Sequence, residues 1–247
     1  MLRKDDLHLS KLVVNGMTIP PVMAAGPMGV MAPQALTPRE GSEIYAEVSR
    51  YGFTGFQVVQ GGIQLMSSDG MSIVVLTGGG WQFTEDLSRT TFDHSADKLA
   101  VVIDHYVKKL PQGTILAGQV AQVEAVWENF GADADSYIEQ RFLKPEFARV
   151  VEGLVEGQEM LGGGVRMVLK RPAEQPLPPG MATADPSGPA DVFEVKVEPL
   201  YADRTKLFLL VSGTFSPTVD FKVIERRTRS IRDLLWSKLA TNMTLEA

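Results

Sequence analysis

The sequence predicts an α+β protein with a mainly antiparallel sheet, packing helices and a long C-terminal helix. Short strand-like runs are joined by glycine-containing turns, and amphipathic helices interrupt these runs. The strict strand–helix alternation of a Rossmann domain is absent. The order strand, turn, strand, helix occurs twice, over residues 72–110 and 192–241, which suggests a duplicated unit.

Composition and charge indicate an ordinary globular protein. The 247 residues are 44% hydrophobic and 22% charged, and none is cysteine. The absence of cysteine excludes disulfides, thiol nucleophiles and cysteine-ligated metal sites and is typical of a reducing compartment. The N-terminal residues do not resemble a signal peptide, and the apolar runs are far shorter than the roughly 20 residues of a membrane-spanning helix. We therefore expect a cytoplasmic protein that does not enter a membrane.

The chain divides by composition into four regions. We expect residues 1–38 to form an irregular arm, because residues 18–42 are rich in proline, glycine and methionine. The arm could pack across a neighbouring molecule or lie as a loop on its own core. Residues 39–171 form an α+β region, residues 172–190 a Pro/Gly-rich loop, and residues 191–247 a strand–strand–helix unit that completes the fold.

Periodicity predicts the elements of the first half. Helical spacing begins at Arg39 and ends before Gly52, and an extended segment with a double-glycine turn follows. Apolar residues from Leu99 to Leu110 recur at helical spacing, with Ser95 as the predicted N-cap.

In the second half, residues 114–130 predict a long strand, and Asp133 is expected to cap a short helix. Residues 147–160 fit either a helix or a strand. Residues 192–200 alternate apolar and charged side chains, residues 206–215 predict a strand buried on both faces, and a helix is expected from about Thr218 to Thr241.

Two glycine triplets raise the question of a phosphate-binding loop. Such a loop requires a helix after the glycines, and the P-loop also requires a following lysine. Strand-like residues follow both Gly78–Gly80 and Gly162–Gly164 instead. We therefore predict that both triplets are hairpin turns in which glycine supplies a positive φ.

No sequence motif for catalysis, metal binding or a cofactor is present, and we predict no cofactor. The three histidines are not spaced to share an ion, and no nucleophile elbow occurs. The remaining candidate for a small-ligand pocket, and for an enzyme, combines Trp81, Glu124 and Trp127. A fully packed Trp127 would contradict this hypothesis.

The C-terminal helix is basic in an acidic chain. Residues 221–239 carry six basic and two acidic side chains, so that their net charge of +4 leaves −10 for the rest of a chain whose total is −6. These cations could contact nucleic acid, pair with the acidic remainder of the chain or bind a partner subunit. An amphipathic helix on its own sheet is the favoured interpretation. The candidate contact residues are Arg226, Arg227, Arg229, Arg232 and Lys238.

Several blocks of residues 40–242 resemble a sporadically distributed family of uncharacterised bacterial proteins. They are "VVLTGGGWQF" with the helix "DKLAVVIDHYV", the strand and acidic helix in "VEAVWENFGADADSYIEQRFL", and the final strands and helix from "KLFLLVSGTF" to "WSKLATNM". The family strand that usually reads leucine-arginine-tyrosine-any-asparagine is "AVWEN" here, with Val126 in place of the arginine. The resemblance implies a fold and a cytoplasmic location rather than a reaction.

Three hypotheses of function follow. The first is a non-enzymatic cytosolic protein that acts by protein–protein contact or self-assembly as a homo-oligomer. The second is a nucleic-acid-associated factor that uses the basic helix. The third is an enzyme with a small-ligand site near Trp81.

Overall fold

The computed structural model describes residues 3–19, 36–128, 133–142, 163–181 and 188–245. These residues form one sheet of nine antiparallel strands with four helices, which confirms the predicted α+β class. The strands are β1 (Leu7–Ile19), β2 (Phe53–Val59), β3 (Gly62–Ser67), β4 (Ser72–Thr77), β5 (Gly80–Asp86), β6 (Ile115–Trp127), β7 (Val165–Pro172), β8 (Ala190–Leu200) and β9 (Asp203–Phe215). The helices are α1 (Pro38–Val48), α2 (Phe92–Val107), α3 (Ala134–Phe142) and α4, which joins Val223–Asp233, a π-helical segment Leu234–Leu239 and Ala240–Leu245.

The sheet is built from two similar halves around the central strands β1 and β6, each of 13 residues. The strand order is β2-β3-β4-β5-β1-β6-β9-β8-β7, so β1 and β6 lie side by side in the middle. On one side the β4–β5 hairpin pairs back onto β1 and continues into α2. On the other side the β8–β9 hairpin pairs back onto β6 and continues into α4. The duplicated strand–strand–helix order suggested by the sequence therefore occupies corresponding places on the two sides.

One face of the sheet is buried beneath helices. Successive side chains of a strand point to opposite faces, and the fully buried positions of the central strands alternate accordingly, as at Leu12 and Val14 of β1 and Ala121 and Val123 of β6. Side chains on the opposite face are mostly half-buried. Strand β9, predicted to be buried on both faces, follows the same alternation, with Leu209 buried and Leu210 half-buried.

Local sequence explains where the first two helices begin. Thr37 and Glu40 form a reciprocal capping box at the start of α1, with Pro38 at the first helical position. The N-cap of α2 is Thr91, which accepts a hydrogen bond from the His94 amide, so the prediction of Ser95 as N-cap is wrong. Ser95 lies in the first turn and is buried.

Helix α4 packs across β6 and β9. It begins at Val223, five residues later than predicted, because residues 216–222 first form an isolated bridge and a turn. Gly213 of β9 permits the close approach, since a β-carbon there would lie 2.6 Å from Ile231 Cδ1. Buried Gln119 of β6 donates its amide hydrogen to the carbonyl of Ile224 at 3.1 Å.

The N-terminal region differs from its prediction. Residues 7–19, which the sequence assigns to an irregular arm, form β1 in the middle of the sheet. The proline-rich residues 20–35 lie outside the described residues, as do residues 147–160 and Gly162 of the second triplet. Strand β9 of the C-terminal unit pairs with β6, so β8 and β9 belong to the same sheet as the first half.

Candidate interaction surface

The first glycine triplet is a hairpin turn, as predicted. Gly78 and Gly79 connect β4 to β5, and the hydroxyl of Tyr106 in α2 donates to the carbonyl of Thr77 at 2.7 Å. The three glycines are not among those with a positive φ, so the predicted reason for them is wrong. Close packing against β1 is what requires glycine at position 80, since a β-carbon there would lie 2.5 Å from the carbonyl oxygen of Gly16.

The predicted pocket residues are not brought together. Trp81 and Trp127 are buried on the helix-covered face, with 4% and 0% exposure. Glu124 lies on the opposite face, where it accepts a hydrogen bond from the side-chain amide of Gln122 at 2.7 Å. Trp127 donates its indole hydrogen to the carbonyl of Arg3 at 2.8 Å. The packed Trp127 is the outcome that contradicts a ligand site at these residues.

The basic residues of α4 largely contact acidic residues of the same chain. Arg229 lies 2.6 Å from both Asp93 and Asp97 at the start of α2. Arg232 stacks on Phe92, and Arg226 binds Glu174. The positive charge of these arginines is therefore directed onto the protein itself, which is the pairing that the sequence offered as one alternative.

Arg227 is buried rather than presented to solvent. It is 4% exposed, lies over the ring of Phe215 and donates from Nη2 to the carbonyl of Ser216 at 3.1 Å. Its Nη1 is buried without a hydrogen-bond partner among the described residues. Burial lowers the pKa of Arg227, and the nearby Asp191 carboxylate opposes this shift. Lys238 is exposed and forms no ion pair with a described residue.

A buried polar cluster that the sequence analysis missed joins α2 to the β4–β5 hairpin. Lys98 Nζ donates to both carboxylate oxygens of Glu85, at 2.9 and 3.0 Å, and lies 2.7 Å from Ser72 Oγ. All three residues are at most 5% exposed. The sequence could have indicated the burial of Glu85, because alternate residues of a strand share a face. Glu85 therefore lies on the same face as Trp81 and Phe83, whose large apolar side chains are expected to be buried. With no opening to solvent, this cluster is structural.

A groove of about 860 Å³ runs past the first residues of β1, and its titratable groups are ion-paired. Lys206 Nζ lies 3.0 Å from Glu128 Oε1, and His8 lies 4.0 Å from the other carboxylate oxygen. The hydrogen bond from Lys206 lowers the pKa of Glu128. A general base works best with a pKa near the operating pH, so this shift does not favour acid–base catalysis. Among the described residues, no three side chains are grouped to hold a metal ion.

The two edges of the sheet are the surfaces with unpaired backbone groups. No described strand pairs with the outer edge of β2 or of β7. The β2 edge has no charged side chain, and in fact no charged residue occurs between Arg50 and Asp69. Val58 of β2 is 59% exposed. Natural edges are usually protected by charge or proline, so an uncharged edge with an exposed valine is a candidate for pairing with another strand.

Neighbouring side chains define the face of β2 that a second strand would extend. Phe56 and Val58 lie opposite Leu65 and Ile63 of β3, on the helix-covered face. The ring of Phe56 packs against Tyr45 of α1 at a centroid distance of 5.4 Å. Val58 extends beyond this contact and remains exposed. The pair thus forms a partly uncovered apolar strip that continues the core to the edge.

No family model, no curated protein and no solved structure matches the chain. None of the described helices combines the length and apolar composition needed to cross a bilayer.

Proposed function

We propose that the protein acts by self-assembly, as a homodimer in which two β2 strands pair antiparallel and continue the sheet. The observation that carries this proposal is the uncharged, unpaired β2 edge with Val58 59% exposed. An edge strand directs the N–H and C=O groups of alternate residues outward, where another strand can bind them.

The side chains of β2 support a symmetric register centred on Gln57. In this register Phe56 of each copy lies opposite Val58 of the other. An aromatic residue opposite a β-branched one contributes about 0.2–1 kcal/mol per pair. The two Gln57 side chains meet on the other face, where their amides can exchange hydrogen bonds. Because this segment carries no charge, the symmetric pairing brings no like charges together.

The backbone irregularity in β2 lies outside this register. The pairing with β3 shifts between Phe53 and Gly55, which indicates a bulge at the beginning of the strand. The segment from Gly55 to Val59 is regular, and it is the segment that the proposed pair uses.

Light scattering coupled to size-exclusion chromatography tests the proposal. We expect a mass twice the chain mass of 27.0 kDa. Val58→Lys should give a monomer, because two lysines would be buried in the pairing face without a carboxylate. Val168 on the β7 edge and Val219 before α4 are matched controls, since their exposures of 60% and 58% are close to the 59% of Val58.

Val168→Lys and Val219→Lys should therefore remain dimeric. A monomeric wild-type protein at tens of micromolar, or a dimer that dissociates with Val168→Lys and persists with Val58→Lys, would overturn the proposal. Circular dichroism of each variant confirms that a change in mass does not arise from unfolding.

A further inference from the structure

Helices α2 and α4 run antiparallel over the sheet and enclose a cavity between them. Arg229 of α4 lies 2.6 Å from both Asp93 and Asp97 at the beginning of α2, and these contacts connect the helices at one end. Toward the end of α2, the space between the helices opens into a cavity of about 440 Å³. Small-molecule sites typically have volumes of roughly 300–1,000 Å³, so this cavity suits a small molecule.

The walls of the cavity are mainly apolar. They come from the last two turns of α2 and from the residues that lead into α4, namely Ala100, Ile103, Val107, Val219, Phe221 and Ile224. Ile103 and Ile224 are buried, whereas Val219 is 58% exposed. An apolar group in the cavity would remove this surface from water, which is the main favourable contribution to such binding.

Two of the four charged side chains that line the cavity already have partners. Asp104 lies 2.6 Å from Lys108, and Glu225 lies 2.8 Å from Arg229. These two carboxylates therefore do not select the charge of a ligand.

The other two charged side chains, Asp220 and Lys222, are unpaired and opposite in sign. Both are exposed, and neither forms an ion pair within the part of the chain that the structure describes. Asp220 Oδ1 accepts a hydrogen bond from the backbone amide of Lys222 at 3.0 Å. The two residues lie in the turn before α4, two positions apart. A ligand that pairs with both must carry a cation and an anion close together.

We propose that this cavity binds a free α-amino acid with an apolar side chain. Such a molecule carries an ammonium and a carboxylate on one carbon. The ammonium pairs with Asp220, the carboxylate pairs with Lys222, and the apolar side chain lies between α2 and the beginning of α4. An amine alone or a carboxylic acid alone would leave one of the two charges unmatched.

Isothermal titration calorimetry with L-leucine tests the proposal against three compounds that each lack one feature. Leucinamide lacks the carboxylate, isocaproate lacks the ammonium, and L-alanine lacks most of the apolar side chain. We expect L-leucine to bind at least about tenfold more tightly than each of them, a ratio that corresponds to 1.4 kcal/mol. Equal affinity for leucinamide or isocaproate, or no binding of L-leucine at about 10 mM, would overturn the proposal.

Two substitutions remove the charges and preserve the local structure. Asp220→Asn keeps a side-chain oxygen that can accept the hydrogen bond from the Lys222 amide, and Lys222→Gln alters an exposed side chain. Each should weaken the binding of L-leucine at least about tenfold. Glu47→Gln and Lys238→Gln are matched controls, because both side chains are exposed, lie outside the cavity lining and form no ion pair with a described residue.

The two controls should bind L-leucine as tightly as the wild type. Ala100→Phe, which places a ring in the cavity, should also abolish binding, and circular dichroism checks that each variant is folded. Unchanged affinity in both Asp220→Asn and Lys222→Gln, or an equal loss in the controls, would overturn the proposal. Val58→Lys should bind L-leucine normally, so failure of the β2 dimer and failure of this site are separate results.

Discussion

The two halves of the sheet bury a cation from the helix after the hairpin in contrasting ways. In the first half, Lys98 of α2 lies between both oxygens of Glu85 and the hydroxyl of Ser72. In the second half, Arg227 of α4 donates to the carbonyl of Ser216, and its Nη1 is buried without a described hydrogen-bond partner. The first cluster is fully hydrogen-bonded, and the second is only partly so.

This difference shows that similar topology does not impose similar energetics. A buried ion pair becomes costly when one partner is removed, because the other charge stays buried and unpaired. The Lys98 cluster joins α2 to its hairpin in this way. Arg227 makes no ion pair within 4 Å of a described carboxylate, so α4 depends on apolar packing and on its exposed ion pairs with α2.

The largest expected effect is that of Lys98→Met. The variant leaves the Glu85 carboxylate 2% exposed with Ser72 as its remaining side-chain partner. We expect the free energy of unfolding to fall by about 3–5 kcal/mol. Urea denaturation followed by circular dichroism measures this change.

The double variant Lys98→Met/Glu85→Leu serves as the control for that prediction. It replaces both charges by apolar groups and should recover most of the lost stability, since such replacements of buried pairs are often neutral or stabilising. Additive losses from the two single substitutions would show that the pair is not coupled as the geometry indicates.

The expected effect of intermediate size is a pH dependence of the free energy of unfolding that arises from α2 and not from α4. Burial raises the pKa of Tyr106 in α2 to about 12 from its ordinary value of 10.0, whereas α4 contains no tyrosine. The folded protein holds this proton more tightly than the unfolded chain. The stabilisation is therefore complete below pH 10 and is lost as the pH rises from 10 to 12, by about 2–3 kcal/mol in total.

The difference between wild type and Tyr106→Phe isolates this contribution, because other groups titrate equally in both proteins. The gap in their free energies of unfolding should shrink between pH 10 and pH 12. A gap that stays constant over this range would mean that the Tyr106 hydroxyl ionises normally in the folded state.

Periodicity predicted the elements whose pattern is local. The alternation of Phe193, Val195 and Val197 predicted β8, and the apolar spacing from Leu99 to Tyr106 predicted α2, since both patterns depend on neighbours within a few residues. Strand β1 was not predicted, because the proline-rich residues after Ile19 favoured an irregular arm over the whole of residues 1–38. Consequently, deletion of residues 1–38 would remove the middle of the sheet rather than an arm.

The surfaces were harder to predict than the elements. Whether a strand lies at the edge of the sheet depends on pairings between residues far apart in the chain, such as Val14 with Ala121. The residues that flank either partner in the sequence do not reveal such a pairing. The basic stripe of α4 was visible in the sequence, but its partners Asp93 and Asp97 lie more than a hundred residues away. The lack of charge in β2 was also visible in the sequence. It indicates a surface for strand pairing only because the topology places β2 at an edge of the sheet.

The smallest expected effect is that of Arg227→Met, the matched counterpart of Lys98→Met. Asp191, whose charge raises the pKa of Arg227, retains Arg171 at 3.2 Å and the amide of Ser216 at 3.0 Å. The variant therefore removes a partly unsatisfied buried cation without leaving an unpaired charge, and methionine keeps the contact with Phe215. We expect the free energy of unfolding to change by less than about 1 kcal/mol in either direction. A loss as large as that of Lys98→Met would show that Arg227 fixes α4 as firmly as Lys98 fixes α2, and the contrast between the two halves would not hold.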